Sequence, residues 1–185
     1  MSIEIEAKLK VDSLQDVERK LGEADAEFLE EQFQTDAYFD NADAALKSSD
    51  RALRLRRQRT GQKEKTFLTY KGPKEKSDFK KRREIEVEVG DADSAEELLL
   101  ALGYEKALVF EKRRRIWNLD DCVVCLDELP LLGCFVEIEG PDGERIAGVQ
   151  KDLGLSDLPH IVESYALLMD ERLRLLGRKE RKVFL

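Results

Sequence analysis

Several stretches of this chain alternate apolar and charged residues so strictly that both faces of the resulting strands are constrained. Ile3, Ile5, Ala7 and Leu9 fall on one side of the first stretch, and Glu4, Glu6, Lys8 and Lys10 on the other. A β-strand sends successive side chains to opposite faces. One face is therefore built for burial, and the other is fully charged. The same period recurs where Leu53 and Leu55 oppose Arg54 and Arg56, and where Ile85, Val87 and Val89 oppose Arg82, Glu84, Glu86 and Glu88. A wet, ion-paired sheet face accounts for any one such strand. A metal ion held beside a bound anion accounts for the first one equally well.

The remaining elements follow in order. Asp12 or Ser13 caps a helix running to about Gly22, with Leu14, Val17 and Leu21 at helical spacing. A strand is expected over Glu27–Asp40, then a polar loop over Asn41–Asp50 with a helical turn near Asp43–Lys47. Further strands are expected at Ala52–Arg59, Gln62–Lys71 (closed by a Gly72-Pro73 turn) and Phe79–Val89, with a charged loop at Lys74–Asp78. Asp93 or Ser94 caps the next helix, which Gly103 stops. The strands Lys106–Leu119, Cys122–Leu129 and Cys134–Glu139 come next, then helical patterns over Gly143–Leu153 and Ile161–Leu176 and a basic tail at Arg178–Lys182. Strands and helices do not alternate regularly, which disfavours a doubly wound parallel sheet. The expectation is an α+β fold in one domain over residues 1–185: about eight strands in an antiparallel sheet or closed barrel, with helices packed on its apolar outside.

Bulk properties narrow the function. A net charge of −8 lacks the broad basic face that DNA binding needs. No apolar run approaches the ~20 residues of a membrane span, and charge begins at Glu4, unlike a secretion signal. The expected location is cytoplasmic. Cys122, Cys125 and Cys134 are an odd set, against a disulfide framework. Cys122 and Cys125 have zinc-like spacing but point to opposite faces of a strand, which favours buried thiols. Charged residues make up 39% of the chain, well above the roughly one quarter of ordinary domains. Since 42% is apolar and cleanly periodic, that excess sits on ordered elements.

Helices need apolar sheet surface to cover, so the charged faces must lie on the opposite side. If the sheet closes, they line its interior. A lumen of Arg, Lys, Asp and Glu is too costly as a core unless it is wet or occupied. Arginine forks bind phosphate oxygens bidentately and lysine adds compact charge. Mg²⁺ takes a few carboxylates together with phosphate oxygens and water. Glu4/Glu6 and Glu137/Glu139 each point two carboxylates the same way, about 7 Å apart along a strand.

At this point the residues resemble a known family. Glu4-Ile5-Glu6-Ala7-Lys8 resembles the ExExK signature of the CYTH domain, or triphosphate tunnel metalloenzymes. These include class IV adenylate cyclases, thiamine triphosphatases, inorganic tripolyphosphatases and RNA triphosphatases. The likeness continues through Thr35–Asp40, Ala52–Arg56, Leu68–Pro73, Arg82–Glu86, Phe110–Arg114, Leu126–Glu128, Leu132–Glu139 and Ser164-Tyr165. It implies an eight-stranded antiparallel tunnel around a triphosphate. Lys8, Arg54, Arg56, Lys71, Arg82, Lys112 and Arg114 would bind phosphate. Glu4, Glu6, Asp127, Glu137 and Glu139 would hold one or two Mg²⁺ or Mn²⁺ ions. Glu84 and Glu86 would position basic groups or water, acting with Glu4 and Glu6 in catalysis. The implied partner is tripolyphosphate, thiamine triphosphate or ATP, bound by a monomer or homodimer.

In the sixth strand, Lys112 and Arg114 share parity with Leu108 and Phe110, and a bulge would turn Arg113 inward instead. The His-Phe-Asp motif of class IV cyclases is matched by Tyr38-Phe39-Asp40, without the histidine. The reading therefore leans to a triphosphatase over a cyclase, with a non-catalytic polyphosphate or nucleotide binder as the third choice. Tyr38 and Trp117 suit packing better than stacking on a substrate ring. The sole histidine, His160, suits a loop or cap better than a general base. Lys74, Lys76, Lys80 and Lys81 flank a loop that either closes over substrate or is simply solvated.

Overall fold

The computed structural model describes residues 2–75 and 79–185; the side chains of residues 2, 3 and 80 lie outside that description. Most of the loop expected at Lys74–Asp78 is therefore outside the described residues, including Lys76, as is the side chain of Lys80. The elements run β1 (Ser2–Val11), α1 (Leu14–Glu23), β2 (Glu27–Asp40), α2 (Ala45–Ser48), β3 (Ala52–Thr60), β4 (Lys63–Lys74) and β5 (Lys80–Val89). Then come α3 (Ala92–Ala101), β6 (Glu105–Leu119), β7 (Cys122–Leu129), β8 (Gly133–Glu139), α4 (Gly143–Asp152), α5 (Tyr165–Leu175) and a short β9 (Lys182–Val183).

The strands are ordered β2-β3-β4-β5-β1-β8-β7-β6, and β6 pairs back onto β2 to close an eight-stranded antiparallel barrel. Closure leaves none of the eight with a long free edge. β9 adds two residues alongside β6, where Lys182 and Val183 run parallel to Val109 and Phe110. Part of the basic tail is thus tied down, with Val183 buried.

The alternation is resolved as inside and outside. Outward-facing Ala7, Leu9, Val124, Leu126, Val136 and Ile138 form the main core with Leu14, Val17 and Leu21 of α1 and Ile146, Val149 and Leu153 of α4. α3 lays Leu99 over Phe39 and Leu55 on another flank. α5 packs differently. Its Tyr165, Met169 and Leu173 contact Leu108, Phe110, Leu129 and Phe135, residues with the parity of the charged interior. One end of the lumen is therefore apolar and covered by α5, and the charged part lies beyond it. Cys122 joins the outer core while Cys125 shares parity with Asp127, so their side chains diverge and do not form a zinc pair.

Several boundaries differ from expectation. β4 does not end at Gly72-Pro73 but continues to Lys74 through a break in register against β5. A bulge is where a strand tolerates proline, because the missing N–H costs no ladder bond there. α3 starts earlier than Asp93, because Asp91 is its cap and accepts a hydrogen bond from the Ser94 amide at 2.6 Å. α5 starts later than Ile161. Ser164 caps it, while the Ile161 amide donates to the Lys8 carbonyl at 2.8 Å.

The apolar end makes a stability prediction. Phe110 is fully buried between the interior parity set and α5. Phe110→Ala should cost about 3–5 kcal/mol, as expected for a large aromatic removed from a packed core. Urea unfolding measures this; a loss under 1 kcal/mol would contradict the sealed-end packing.

Candidate functional site

Strand register brings the charged positions together. Lys8 sits opposite Glu137, Glu4 opposite Arg82, Lys71 opposite Glu84, Arg56 opposite Asp36, and Arg114 opposite Asp127. Twelve of the fourteen expected site residues line one interior cavity of about 160 Å³: Glu4, Glu6, Lys8, Arg54, Arg56, Lys71, Arg82, Glu84, Glu86, Lys112, Arg114 and Glu137. Asp36, Tyr38, Ala52, Ser164 and Tyr165 complete the lining. The question left open on β6 is decided by exposure. Lys112 is buried and Arg114 faces the cavity, whereas half of the Arg113 side chain is in solvent, paired with Glu31 and Glu128.

The two outside the lining differ. Asp127 is fully buried behind it. Arg114 donates from Nε and Nη2 to its two carboxylate oxygens at 2.6 and 2.5 Å, Tyr165 Oη donates at 2.8 Å, and Lys112 Nζ lies 3.4 Å away. With both oxygens engaged, Asp127 is not poised to ligate a metal ion; it orients Arg114. Glu139 sits at the end of β8 with access to solvent. Partial burial, and then the nearby Glu4, Glu6 and Glu84 carboxylates, push its carboxyl up to about 7.

Most cations are held so that their geometry is set in advance. Arg56 makes a two-pronged bond to Asp36 at 2.6 and 2.7 Å. Burial alone would raise the Asp36 carboxyl, but Arg56 and Arg54 hold it far below the ordinary range. Arg82 donates to the Gly72 and Asp50 carbonyls, so backbone rather than a carboxylate fixes its fork. Lys8 Nζ donates to the Glu163 carbonyl at 2.7 Å and lies 4.0 Å from the Tyr165 ring centre, a cation–π distance. Lys71 bridges Glu84 at 2.6 Å and Glu4 at 3.2 Å. Arg54 reaches Thr69 at 3.1 Å and Glu86 at 3.4 Å, yet its buried Nε–H meets no acceptor among the described residues. An unmade bond of that kind costs about 1–3 kcal/mol.

The cavity also suits a divalent cation. Glu4, Glu6 and Glu84 line it, and all three act on the nearby Glu139 carboxyl; like charges so placed are relieved by a cation among them. Among the described residues no three acidic, thiol or imidazole groups are pre-assembled as a ligand set. Glu4 and Glu84 lean instead on Lys71, and Glu137 on Arg114 and Lys8.

Some members of the site were missed as site residues. Asp36 shares parity with Gln32, Gln34 and Tyr38 on β2, and that alternation was the available signal. Tyr165 had none beyond its motif, since its role depends on where α5 docks. Trp117 packs edge-to-face on Phe28, and the His160 ring lies 3.1 Å from Gln150; neither lines the cavity.

The barrel thus encloses a lumen in which oriented cations stand beside carboxylates. The chain belongs to the CYTH domain family, whose sequence profile matches residues 2–165. A Methanocaldococcus jannaschii protein provisionally named an adenylate cyclase is 31% identical over 173 residues, 93% of this chain and 94% of its own length. A Pyrococcus horikoshii protein of solved structure is 32% identical with a TM-score of 0.78, over 91% of this chain and 99% of that one. A Hippeastrum protein, described as a provisional adenylyl cyclase with a dominant triphosphatase activity, shares the fold at 19% identity and a TM-score of 0.70, over 96% of this chain and 97% of its own.

Lys112 offers a protonation test. Burial, then the neighbouring Arg114, lower its ammonium from 10.5 to about 8. Between those values the unfolded chain holds a proton that the fold has released, so this group makes stability rise with pH across that window. A bound polyanion favours the charged form. Tripolyphosphate binding near pH 8.5 should therefore take up a fraction of a proton, read by calorimetry in buffers of different ionisation enthalpy. Zero uptake would contradict contact with Lys112.

Proposed function

We propose that this chain is a divalent-metal-dependent triphosphatase that holds a triphosphate or nucleoside triphosphate in the barrel lumen. The observation that carries this is the charge inventory of the cavity. Along the lining Lys8, Arg54, Arg56, Lys71, Arg82, Lys112 and Arg114 oppose Glu4, Glu6, Asp36, Glu84, Glu86 and Glu137, and the buried Asp127 behind Arg114 and Lys112 brings the two signs level. A triphosphate ester brings about four negative charges, so one or two divalent ions return the lumen to near neutrality. A single phosphate would leave most of the forks idle.

In this reading Arg54, Arg56, Arg82 and Arg114 fix the phosphate oxygens, and Lys8, Lys71 and Lys112 neutralise charge between them. Glu4, Glu6, Glu137 and Glu139 would hold Mg²⁺ or Mn²⁺. Once bound, the ion supplies charge neutralisation at phosphate oxygens and lowers the pKa of a coordinated water. Glu84 and Glu86 position Lys71 and Arg54. Phosphoryl transfer needs alignment and electrostatic stabilisation more than covalent help from the protein. Water attacks the terminal phosphorus, and the bond to the bridging oxygen breaks. Inorganic phosphate, the shortened polyphosphate and a proton leave. The adenylate cyclase name of the M. jannaschii relative supports a second reading, in which ATP gives cyclic AMP and pyrophosphate in the same lumen.

Incubation with Mg²⁺ or Mn²⁺ and tripolyphosphate, thiamine triphosphate or ATP, followed by product analysis, separates the readings. Orthophosphate release is expected; cyclic AMP with pyrophosphate would replace the triphosphatase by the cyclase. Glu4→Gln combined with Glu6→Gln should abolish metal-dependent turnover with the fold intact. Arg56→Ala should lower kcat by about 10²–10³, the usual cost of one preorganised charge-stabilising donor. Unchanged rates in either variant would remove those residues from the site.

A further inference from the structure

Two of the cations that line the lumen share one aromatic ring. Lys8 Nζ lies 4.0 Å from the centre of the Tyr165 ring, and Lys112 Nζ lies 5.0 Å from it. Both lysines are buried and both face the cavity. Their carboxylate neighbours stand off, with Glu137 at 3.5 Å from Lys8 and Asp127 at 3.4 Å from Lys112. The arginines differ. Arg56 meets Asp36 at 2.6 and 2.7 Å, and Arg114 meets Asp127 at 2.6 and 2.5 Å. A carboxylate in close contact neutralises a cation, and an arriving phosphate must compete with it. The negative face of an aromatic ring attracts a cation without cancelling its charge.

The fold fixes the ring from three sides. Ser164 caps α5 and makes Tyr165 its first residue. Phe135 meets the ring edge-to-face, at 5.2 Å between centres and 76° between planes. The hydroxyl donates to Asp127 Oδ2 at 2.8 Å, the oxygen that also takes Arg114 Nη2 at 2.5 Å. Lys112 is left with the longest contact to that oxygen, 3.4 Å. Burial, then Asp127, push the phenol well above its ordinary range, so it remains a donor. The sheet itself cannot set the spacing of the two lysines. Lys8 is on β1 and Lys112 on β6, with β8 and β7 between them, so no strand register relates them. The ring does.

We propose that Tyr165 is a positioning residue for the bound polyanion: its ring seats Lys8 and Lys112 together, still charged, so that both donate to the phosphate chain. This rests on the lumen reading above. The ring touches no reacting atom and acts through the two lysines. It gives α5 a part in the site besides sealing the apolar end, because the helix delivers the surface on which both ammonium groups rest. Lys8 is steadied further by a neutral acceptor from the same segment, the Glu163 carbonyl at 2.7 Å. The arginine forks and the lysines are thus prepared differently, the first by acids behind them and the second by a π face.

The test varies the electrostatics of the ring at nearly constant shape. Tripolyphosphate binding is measured by calorimetry in EDTA, which stops metal-dependent turnover. The proteins compared are the unaltered chain, Tyr165→Phe, and chains with difluoro- and trifluorophenylalanine at that position. Fluorine draws density from the ring face and weakens its pull on a cation, while the packing against Phe135 is kept. Affinity should fall stepwise along the series, by roughly tenfold from phenylalanine to its trifluoro analogue, ~1.4 kcal/mol. A flat series would overturn the proposal and leave Tyr165 a packing residue. A rise with fluorination would overturn it too, since the ring would then compete with phosphate for the lysines. Loss of binding already in Tyr165→Phe would assign the role to the hydroxyl instead. If the unaltered protein does not bind tripolyphosphate, the lumen reading itself fails.

Discussion

The pairing of β2 with β6 is the interaction on which everything else depends. Without it the sheet is open, and its charged face is an ordinary wet surface. With it, alternation becomes a division between inside and outside, and Arg, Lys, Asp and Glu side chains are taken out of bulk water together. Paired buried charges are tolerated when geometry is good and remaining hydrogen bonds are met. The barrel arranges both. Carboxylates fix Arg56 and Arg114, backbone carbonyls fix Arg82, and the Tyr165 hydroxyl joins the Asp127 oxygens. The apolar end under α5 confines the polar part to a limited volume.

A lumen of this kind differs from a structural ion-pair network in how its charges are distributed. Arg54 keeps a buried Nε–H without an acceptor among the described residues. Carboxylates gather near Glu139, whose carboxyl is raised by burial and then by Glu4, Glu6 and Glu84, while Lys71 bridges Glu4 and Glu84. A cation entering among them would relieve that repulsion.

Much of this was legible in the sequence because strand periodicity is local. The alternation in Glu4–Lys10, Arg54–Arg56 and Arg82–Glu88 gave the strands and the inward set, and closure made the charged faces converge. What was not legible depends on contacts distant in sequence. Asp127 and Glu137 look alike as acidic residues of adjacent strands. Only the placement of Arg114 and Tyr165 makes the first an orienting group and leaves the second on the cavity wall. Arg113 and Arg114 could be told apart only by β6 holding its alternation between Lys112 and Arg114. The Tyr165 ring beneath Lys8 and Lys112 rests on the docking of α5, whose start was displaced by the Ser164 cap and by the bond from the Ile161 amide to the Lys8 carbonyl. Neither leaves a periodic trace.

The central claim is that the charged lumen is completed by a polyanion. It is tested most directly by the unfolding free energy as tripolyphosphate is added with Mg²⁺ at constant ionic strength. A ligand bound only by the fold adds stability logarithmically, about 2.7 kcal/mol at a hundredfold excess over its Kd. That rise should appear for the unaltered protein and be strongly reduced in Arg54→Ala. A flat response at millimolar tripolyphosphate, or the same response with an equal charge of sodium chloride, would mean that the lumen is only a structural ion-pair network.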